Sequence, residues 1–163
     1  MKKGHAPLFI FQLNTKNNYS DRKNCSRCNS YMKKILLVED DVNIRTLFRK
    51  ILTANGYGVI EATNGEEALR LYEKLEEKPE LIILDHLMPK KSGLEVTQEL
   101  LKQYSHKNIL IITGYPNIDM ECFPEETVKL KLKPISVEDF LSEIQNILQV
   151  RICNERKEKL EVK

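Results

Sequence analysis

Five short apolar runs, each followed by a stretch of different character, most constrain the fold of this chain. The runs are too short for membrane spans and have the length of buried strands. Alternating strands and helices wind through right-handed crossovers into a parallel sheet with helices on both faces. The pattern therefore predicts a doubly wound α/β fold of the (βα)5 type. The runs are Ile35–Val38, Val59–Ala62, Leu81–Leu84, Ile109–Ile112 and Val128–Leu132. The last of these alternates apolar residues with lysine, which predicts an edge strand with one face in water.

The segments between these runs differ in how strongly they indicate a helix. Asp41–Asn55 and Ser92–Tyr104 carry apolar residues at helical spacing, and Asn64 is a suitable N-cap for a second helix. Gly114–Glu126 is broken by two prolines and is rich in acids, so any helix there must be short. Ser136 is the predicted cap of a last helix, which continues into the charged end of the chain.

Composition divides the 163 residues into three parts. Residues 1–31 carry six basic side chains and one acidic side chain, lack periodicity and are predicted to be a disordered extension. Met32 leads directly into the first strand, and our hypothesis is that it is the natural start. Residues 32–150 are predicted to form one domain, and residues 151–163 a charged helical tail.

Composition also excludes several classes of protein. No apolar run approaches the ~18 residues of a membrane span. After residue 31 acidic side chains outnumber basic ones, so no direct DNA binding is expected. The four cysteines are too sparse for a disulfide framework, and a cytoplasmic location is expected. Cys25 and Cys28 lack a second ligand pair and are interpreted as chance cysteines, and Cys122 and Cys153 as plain thiols.

Polar residues follow four of the predicted strands where each strand ends. The carboxyl ends of parallel strands share one edge of the sheet, where α/β proteins bind ligands. Carboxylates beside one lysine predict a hard divalent cation, namely Mg²⁺, Mn²⁺ or Ca²⁺. A carboxylate beside such a cation and a lysine is a competent nucleophile toward a phosphoryl group. The residues are Glu39-Asp40-Asp41, Asp85, Thr113-Gly114 and Lys133-Pro134.

In their order and spacing these residues resemble the receiver domain of two-component response regulators, as in single-domain chemotaxis and sporulation regulators. The resemblance covers about Lys33 to Leu148. It implies a flavodoxin-like sheet of strand order 2-1-3-4-5 and a role in a phosphorelay. The motifs that carry it are Leu37–Asp41, Asn64–Leu69, Leu84–Glu95, Thr113-Gly114 and Lys133-Pro134.

The resemblance implies a phosphorylation site and a metal site. Asp85 would accept a phosphoryl group from a sensor histidine kinase or a phosphotransfer protein. Mg²⁺ (or Mn²⁺) would be bound by Asp40, Asp85 and the backbone carbonyl of Leu87, with Asp41 in the site directly or through water. Strand alternation turns His86 away from Asp85, which favours a packing or surface role for that histidine.

The resemblance also implies a switch, and here the sequence departs from the family. Thr113 and Lys133 would bind the phosphoryl group, and the Lys133–Pro134 peptide bond would be cis. Leu130 stands where the family usually has the aromatic second switch residue, and the segment between Thr113 and Lys133 is shorter than usual. Many receivers dimerise or bind targets through this surface, so a homodimer is one expected assembly, and the output is expected to be atypical.

Two further expectations concern signalling. Leu87 and Tyr115 lie next to the site, and neither is a residue that positions hydrolytic water, so a long-lived phosphorylated state is predicted. The fifteen residues after Leu148 are too few for an effector domain. The sequence therefore predicts a stand-alone receiver, with no chemistry beyond its own phosphorylation and dephosphorylation, that signals through a partner protein.

Three alternatives stay open at this point. Asp40 and Asp41 could serve only as a helix N-cap and a first-turn acid. The chain could be a degenerate receiver that acts as a constitutive protein-interaction module, which the unusual Gly114–Lys133 segment favours. A flavin- or nucleotide-binding domain is the weakest alternative, because no glycine-rich phosphate loop follows the first strand.

Overall fold

The computed structural model describes residues 32–106, 108–121 and 123–158, and only the backbone of residues 149–158. All five predicted strands are present, and their bounds differ from the predicted ones by at most one residue. Their apolar runs give way to polar or glycine-containing turns, which end each strand. The elements are β1 (Lys34–Val38), α1 (Val42–Ala54), β2 (Gly58–Ala62), α2 (Gly65–Lys74), β3 (Leu81–Asp85), α3 (Gly93–Tyr104), β4 (Ile109–Thr113), β5 (Val128–Leu132) and α4 (Val137–Glu158).

Some sequence predictions fall outside the described residues. They concern the extension at 1–31 with its proposed start, three of the four cysteines, and the chain after Glu158. In the described part of the chain no helix combines the length and the apolar character that a membrane span requires.

The five strands form one parallel sheet in the order β2-β1-β3-β4-β5. The predicted fold class and strand order are therefore confirmed. β1 lies between β2 and β3, with Ile35 opposite Val59 on one side and Leu81 on the other. The chain runs from β1 to β2 and then returns past β1 to β3, so the direction of winding reverses at β1. In sheets of this kind a ligand crevice opens at that reversal.

Side chains of the central strands alternate between two apolar cores. Leu36 of β1 belongs to the core that holds Tyr72 of α2, whereas Ile35 belongs to the core under α1 and α4. In the second core Phe48 of α1 and Phe140 of α4 stack with their ring centroids 4.6 Å apart. The sheet is thus covered on both faces at its centre, which explains why β1, β3 and β4 are continuous apolar runs. The edge strand β5 instead alternates apolar residues with lysine.

Polar side chains and one glycine fix the helix ends. Asn64 caps α2 by accepting a hydrogen bond from the backbone N–H of Glu67 at 3.0 Å. Ser92 and Glu95 form a reciprocal capping box at the start of α3. After α1 the chain turns at Gly56, whose φ of +84° is a conformation that glycine adopts without strain. The predicted cap of α2 and the predicted stop of α1 are therefore found in the structure.

The connection between β4 and β5 departs from the strict strand–helix repeat. Its described residues, 114–121 and 123–127, contain turns and no helix. Pro124 starts a tight turn in which its carbonyl accepts the backbone N–H groups of Thr127 and Val128. Phe123 is 8% exposed and lies in the same core as Leu130, with Met120 packed against it. Two apolar side chains of a loop therefore cover the part of the sheet where the sequence predicts a short helix at most, because proline interrupts the backbone donors that a helix needs.

Candidate functional site

Three acidic side chains meet at the carboxyl edge of the sheet, where the strand order reverses. Asp85 is the last residue of β3, and Glu39 and Asp40 follow β1 directly. One carboxylate oxygen from each residue lies within 4.8 Å of those of the other two. Glu39 is buried, Asp85 is largely buried and Asp40 is exposed, so the group opens to solvent on one side.

Lys133 supplies the positive charge of this pocket from the end of β5. Its Nζ lies 2.9 Å from Oε2 of Glu39 and 3.1 Å from Oδ2 of Asp85. The backbone N–H of Lys133 donates to the carbonyl of Thr113 at 2.7 Å, which ties the end of β5 to the end of β4. The following peptide bond, to Pro134, is cis, the geometry that the family resemblance implies.

Burial and charge shift the pKa values of the ion pair. Burial raises the pKa of Glu39, and the negative charge of Asp85 adds to this effect, against the hydrogen bond from Lys133. Burial alone would lower the pKa of Lys133, but the hydrogen bond and charge of Glu39, together with the charge of Asp85, outweigh it and raise that pKa. The lysine therefore stays protonated, and a single ammonium is shared by two carboxylates.

Asp41, which the family resemblance places in the metal site directly or through water, has a different set of contacts. Its Oδ1 accepts hydrogen bonds from the backbone N–H groups of Asn43 at 2.7 Å and Ile44 at 3.0 Å, so it is the N-cap of α1. These hydrogen bonds lower the pKa of Asp41. The structure therefore groups Glu39, rather than Asp41, with Asp40 and Asp85. A signal for this was in the sequence, because an aspartate directly before a helix is a preferred N-cap.

The loop after β3 is held close to Asp85. The backbone N–H of His86 donates to Oδ1 of Asp85 at 2.7 Å, and the N–H of Gly93 donates to the carbonyl of His86 at 2.9 Å. A Cβ at Gly93 would overlap the carbonyl oxygen of Asp85 and lie 3.1 Å from the Cα of His86. Glycine is therefore required at this position by the close approach of two backbone segments. Leu87, whose carbonyl is a predicted metal ligand, lies in this loop with its side chain 61% exposed.

Thr113 is at the same edge of the sheet, one residue beyond the β4 partner of Asp85, which is Ile112. It is fully buried, and its hydroxyl oxygen accepts a hydrogen bond from the backbone N–H of Tyr115 at 3.1 Å. Tyr115 itself is about half exposed.

His86 follows Asp85 in the chain. Its Nδ1 is buried and has no hydrogen-bond partner among the described residues.

The donor set fits a hard divalent cation. Three carboxylates within a few ångströms repel one another, and a cation between them removes that repulsion. Oxygen donors of this kind suit Mg²⁺ or Mn²⁺ rather than the softer metals. The fold and this pocket define a class of α/β protein in which an acidic, lysine-containing site sits at the reversal of strand order.

A family model described as the response regulator receiver domain matches residues 35–145. The chain therefore belongs to the receiver domain family of two-component signalling. It is 37% identical over 122 residues to a probable transcriptional regulator, ycf27, of Porphyra purpurea, with 72% of this chain and 48% of that protein covered. The chain thus spans about half the length of that relative and of similar ones.

Two further comparisons cover nearly whole relatives. The receiver protein CpdR of Brucella abortus is 32% identical over 120 residues, which cover 72% of this chain and 98% of that protein. Among solved structures, the response regulator TrrA of Thermotoga maritima in complex with Mg²⁺ and BeF is 32% identical with a TM-score of 0.64. That match covers 72% of this chain and all of the TrrA chain.

Proposed function

We propose that Asp85 accepts a phosphoryl group, with Mg²⁺ (or Mn²⁺) bound beside it, from a sensor histidine kinase or a phosphotransfer protein. The observation that carries this proposal is the position of Lys133 between Glu39 and Asp85, next to the exposed carboxylate of Asp40. Receiver domains as a family interact with such kinases, and the match to residues 35–145 includes all the acidic residues of the pocket.

Each residue has a definable task in this transfer. A carboxylate oxygen of Asp85 forms a bond to phosphorus as the bond to the donor breaks. The His86 amide and Lys133 hold the two carboxylate oxygens of Asp85 in a fixed orientation. Lys133 also stabilises negative charge on the transferring oxygens. Glu39, Asp40, Asp85 and the Leu87 carbonyl would hold the cation, which when bound neutralises charge on the phosphoryl oxygens.

Signal output is proposed to follow from phosphorylation-dependent protein–protein interaction. Thr113, adjacent to the site, would donate its hydroxyl to the phosphoryl group, since its oxygen now only accepts a hydrogen bond, from the backbone N–H of Tyr115. The match to nearly the whole of CpdR supports a stand-alone role, whereas the half-covered ycf27 relatives support an attached effector. The mass of the native protein separates these two forms.

A cytoplasmic location is part of the proposal, because the sparse cysteines give no disulfide framework.

The direct test is incubation of the purified chain with acetyl phosphate and Mg²⁺, followed by intact-mass measurement. We expect a gain of one phosphoryl group in the wild type and in Asp41→Asn, and none in Asp85→Asn. Asp41→Asn is the matched control, because it removes a neighbouring carboxylate but keeps a good N-cap. An unmodified wild type, or labelling that persists in Asp85→Asn, would contradict the proposal.

A slow return to the unphosphorylated state is part of the same proposal. Leu87 and Tyr115 are exposed beside the pocket, and a leucine side chain cannot orient an attacking water. The phosphorylated protein is expected to persist longer than the seconds typical of fast chemotaxis receivers. Its decay, followed by mass measurement, tests this, and Leu87→Asn is expected to accelerate it. Equal decay in the two proteins would show that this position does not control the lifetime.

The second candidate function is a constitutive interaction module that does not use phosphorylation. Two observations favour it. Leu130 stands in place of an aromatic switch residue, and the described residues of the β4–β5 connection form no helix. The acetyl phosphate experiment separates the two functions. A wild type that gains no phosphoryl group would favour the interaction module, and a gain that Asp85→Asn lacks would favour the phosphorylated receiver.

A further inference from the structure

Arg45 of α1 contacts the backbone that carries two of the clustered carboxylates. Its Nη1 donates to the carbonyl oxygen of Glu39 at 2.7 Å and lies 3.2 Å from that of Asp40. The Arg45 side chain is only 15% exposed. A guanidinium buried to this extent, with its donors directed at two successive carbonyls, fixes the orientation of both peptide units.

Arg45 also forms an ion pair with Glu61 of the edge strand β2. Its Nε lies 3.6 Å from Oε2 of Glu61. The backbone N–H of Glu39 donates to the carbonyl of Ala62, the last residue of β2, at 3.2 Å. The segment of Glu39 and Asp40 is therefore tied to β2 both directly and through the Arg45–Glu61 pair.

We propose that Arg45 is a positioning residue for the metal site, which directs the carboxylates of Glu39 and Asp40 toward Asp85. This inference rests on the proposed function, since it assumes that these carboxylates bind Mg²⁺. Carboxylates that repel one another spread apart unless the backbone holds them. Outer partners that orient metal ligands typically change metal affinity by about 10- to 100-fold when removed.

If Arg45 acts through its charge, removing it should raise the affinity for Mg²⁺, and if Arg45 acts by positioning, removing it should lower that affinity. The two explanations can therefore be separated by experiment. A cation close to the site repels Mg²⁺, so if Arg45 acted only through its charge, Arg45→Met would tighten Mg²⁺ binding. If Arg45 acts by position, Arg45→Met weakens binding. Arg45→Lys keeps the charge, but its side chain is one atom shorter and has a single nitrogen, so it cannot hold both carbonyls and Glu61 together and must also weaken binding.

Arg49 is the matched control. It lies one turn further along α1 and its Nε is 3.3 Å from Oε1 of the same Glu61. Its side chain is 42% exposed, and its ion pair with Glu61 is the one polar contact it makes among the described residues. Arg49→Lys and Arg49→Met therefore change the same helix face and the same charge without touching the carbonyls of Glu39 and Asp40.

The experiment is a calorimetric titration of Mg²⁺ into the full chain, with thermal unfolding of the metal-free proteins in parallel. We expect Arg45→Lys and Arg45→Met to weaken Mg²⁺ binding about tenfold, and both Arg49 variants to bind as the wild type does. If Arg45→Met does not fold, the conservative Arg45→Lys carries the test alone. Wild-type affinity in Arg45→Lys, or tighter binding in Arg45→Met, would overturn the inference. A wild type that does not bind Mg²⁺ would instead overturn the proposed function itself.

Discussion

Replacing Asp40 by asparagine is expected to stabilise the metal-free protein and to abolish its response to Mg²⁺. Asp40 lies beside two other carboxylates, and Lys133 is the ammonium that pairs with Glu39 and Asp85. The Asp40 side chain accepts no hydrogen bond among the described residues that the substitution would break, and an asparagine is nearly the same size. The change therefore removes a charge with little change in packing.

The magnitude follows from the spacing of the charges. Each of the two neighbouring carboxylates repels Asp40 over at most 4.8 Å, and the cations of Lys133 and Arg45 offset part of this repulsion, so we take one uncompensated carboxylate pair as the order of magnitude. Coulomb's law gives about 0.9 kcal/mol for that repulsion in water and about 3.5 kcal/mol at an effective dielectric constant of 20. Asp40 is exposed, so the lower value applies, and we expect Asp40→Asn to raise the free energy of unfolding by about 1 kcal/mol.

The assay is urea unfolding with and without Mg²⁺. A ligand that binds only the folded state at 100 times its Kd adds about 2.7 kcal/mol to stability, and the wild type should show a gain of that order. Asp40→Asn should lose most of this gain. Asp41→Asn, the control, keeps its N-cap role and should retain the response to Mg²⁺. Metal-free Asp40→Asn that is less stable than the wild type would refute the account of charge repulsion. Loss of the Mg²⁺ response in Asp41→Asn would show that Asp41 belongs to the metal site.

Three further substitutions test other parts of the structure. Gly93→Ala should lower the free energy of unfolding by about 1–3 kcal/mol, because its Cβ meets the backbone of Asp85, and a neutral result in urea unfolding would disprove that close approach. Hydrogen bonds from Ser92 lower the pKa of Glu95, so the stability that Glu95 contributes is present above about pH 5 and is lost as pH falls through the lowered pKa. The difference in stability between wild type and Glu95→Gln, measured against pH, should shrink in acid, and a constant difference would contradict this. Phe123→Ala should cost about 3 kcal/mol if the loop side chain acts as part of the core, and a cost below about 1 kcal/mol would show that it does not.

The strands were the most predictable part of the fold, because a strand buried on both faces must be a continuous apolar run. Ile109–Ile112 is such a run, and it forms β4 with one more residue at its end. The connection after it was less predictable. Its prolines and acids excluded a long helix, but nothing in the local pattern showed that Phe123 would fill the core in place of a helix. That packing depends on the shape of the space left beside β4 and β5, which is a property of the assembled sheet.

The candidate site was also predictable only in part. The sequence alone predicts that Asp85 and Lys133 lie at strand ends, and the rule that parallel strands share a carboxyl edge predicts that they lie close together. Which of three consecutive acids joins them was decided by the tertiary structure. Asp41 turns to cap α1, and this leaves Glu39 and Asp40 for the pocket.

By itself the sequence determined the order of strands and helices, the edge at which the polar residues gather and the resemblance to receivers. The first two follow from the periodicity of apolar residues and from the rule for parallel sheets, and the resemblance rests on short motifs. The tertiary structure decided the contacts between residues distant in the chain, such as Lys133 with Glu39 and Arg45 with Glu61. Such contacts depend on the packing of helices on the sheet and on the direction of each side chain, which no local pattern specifies.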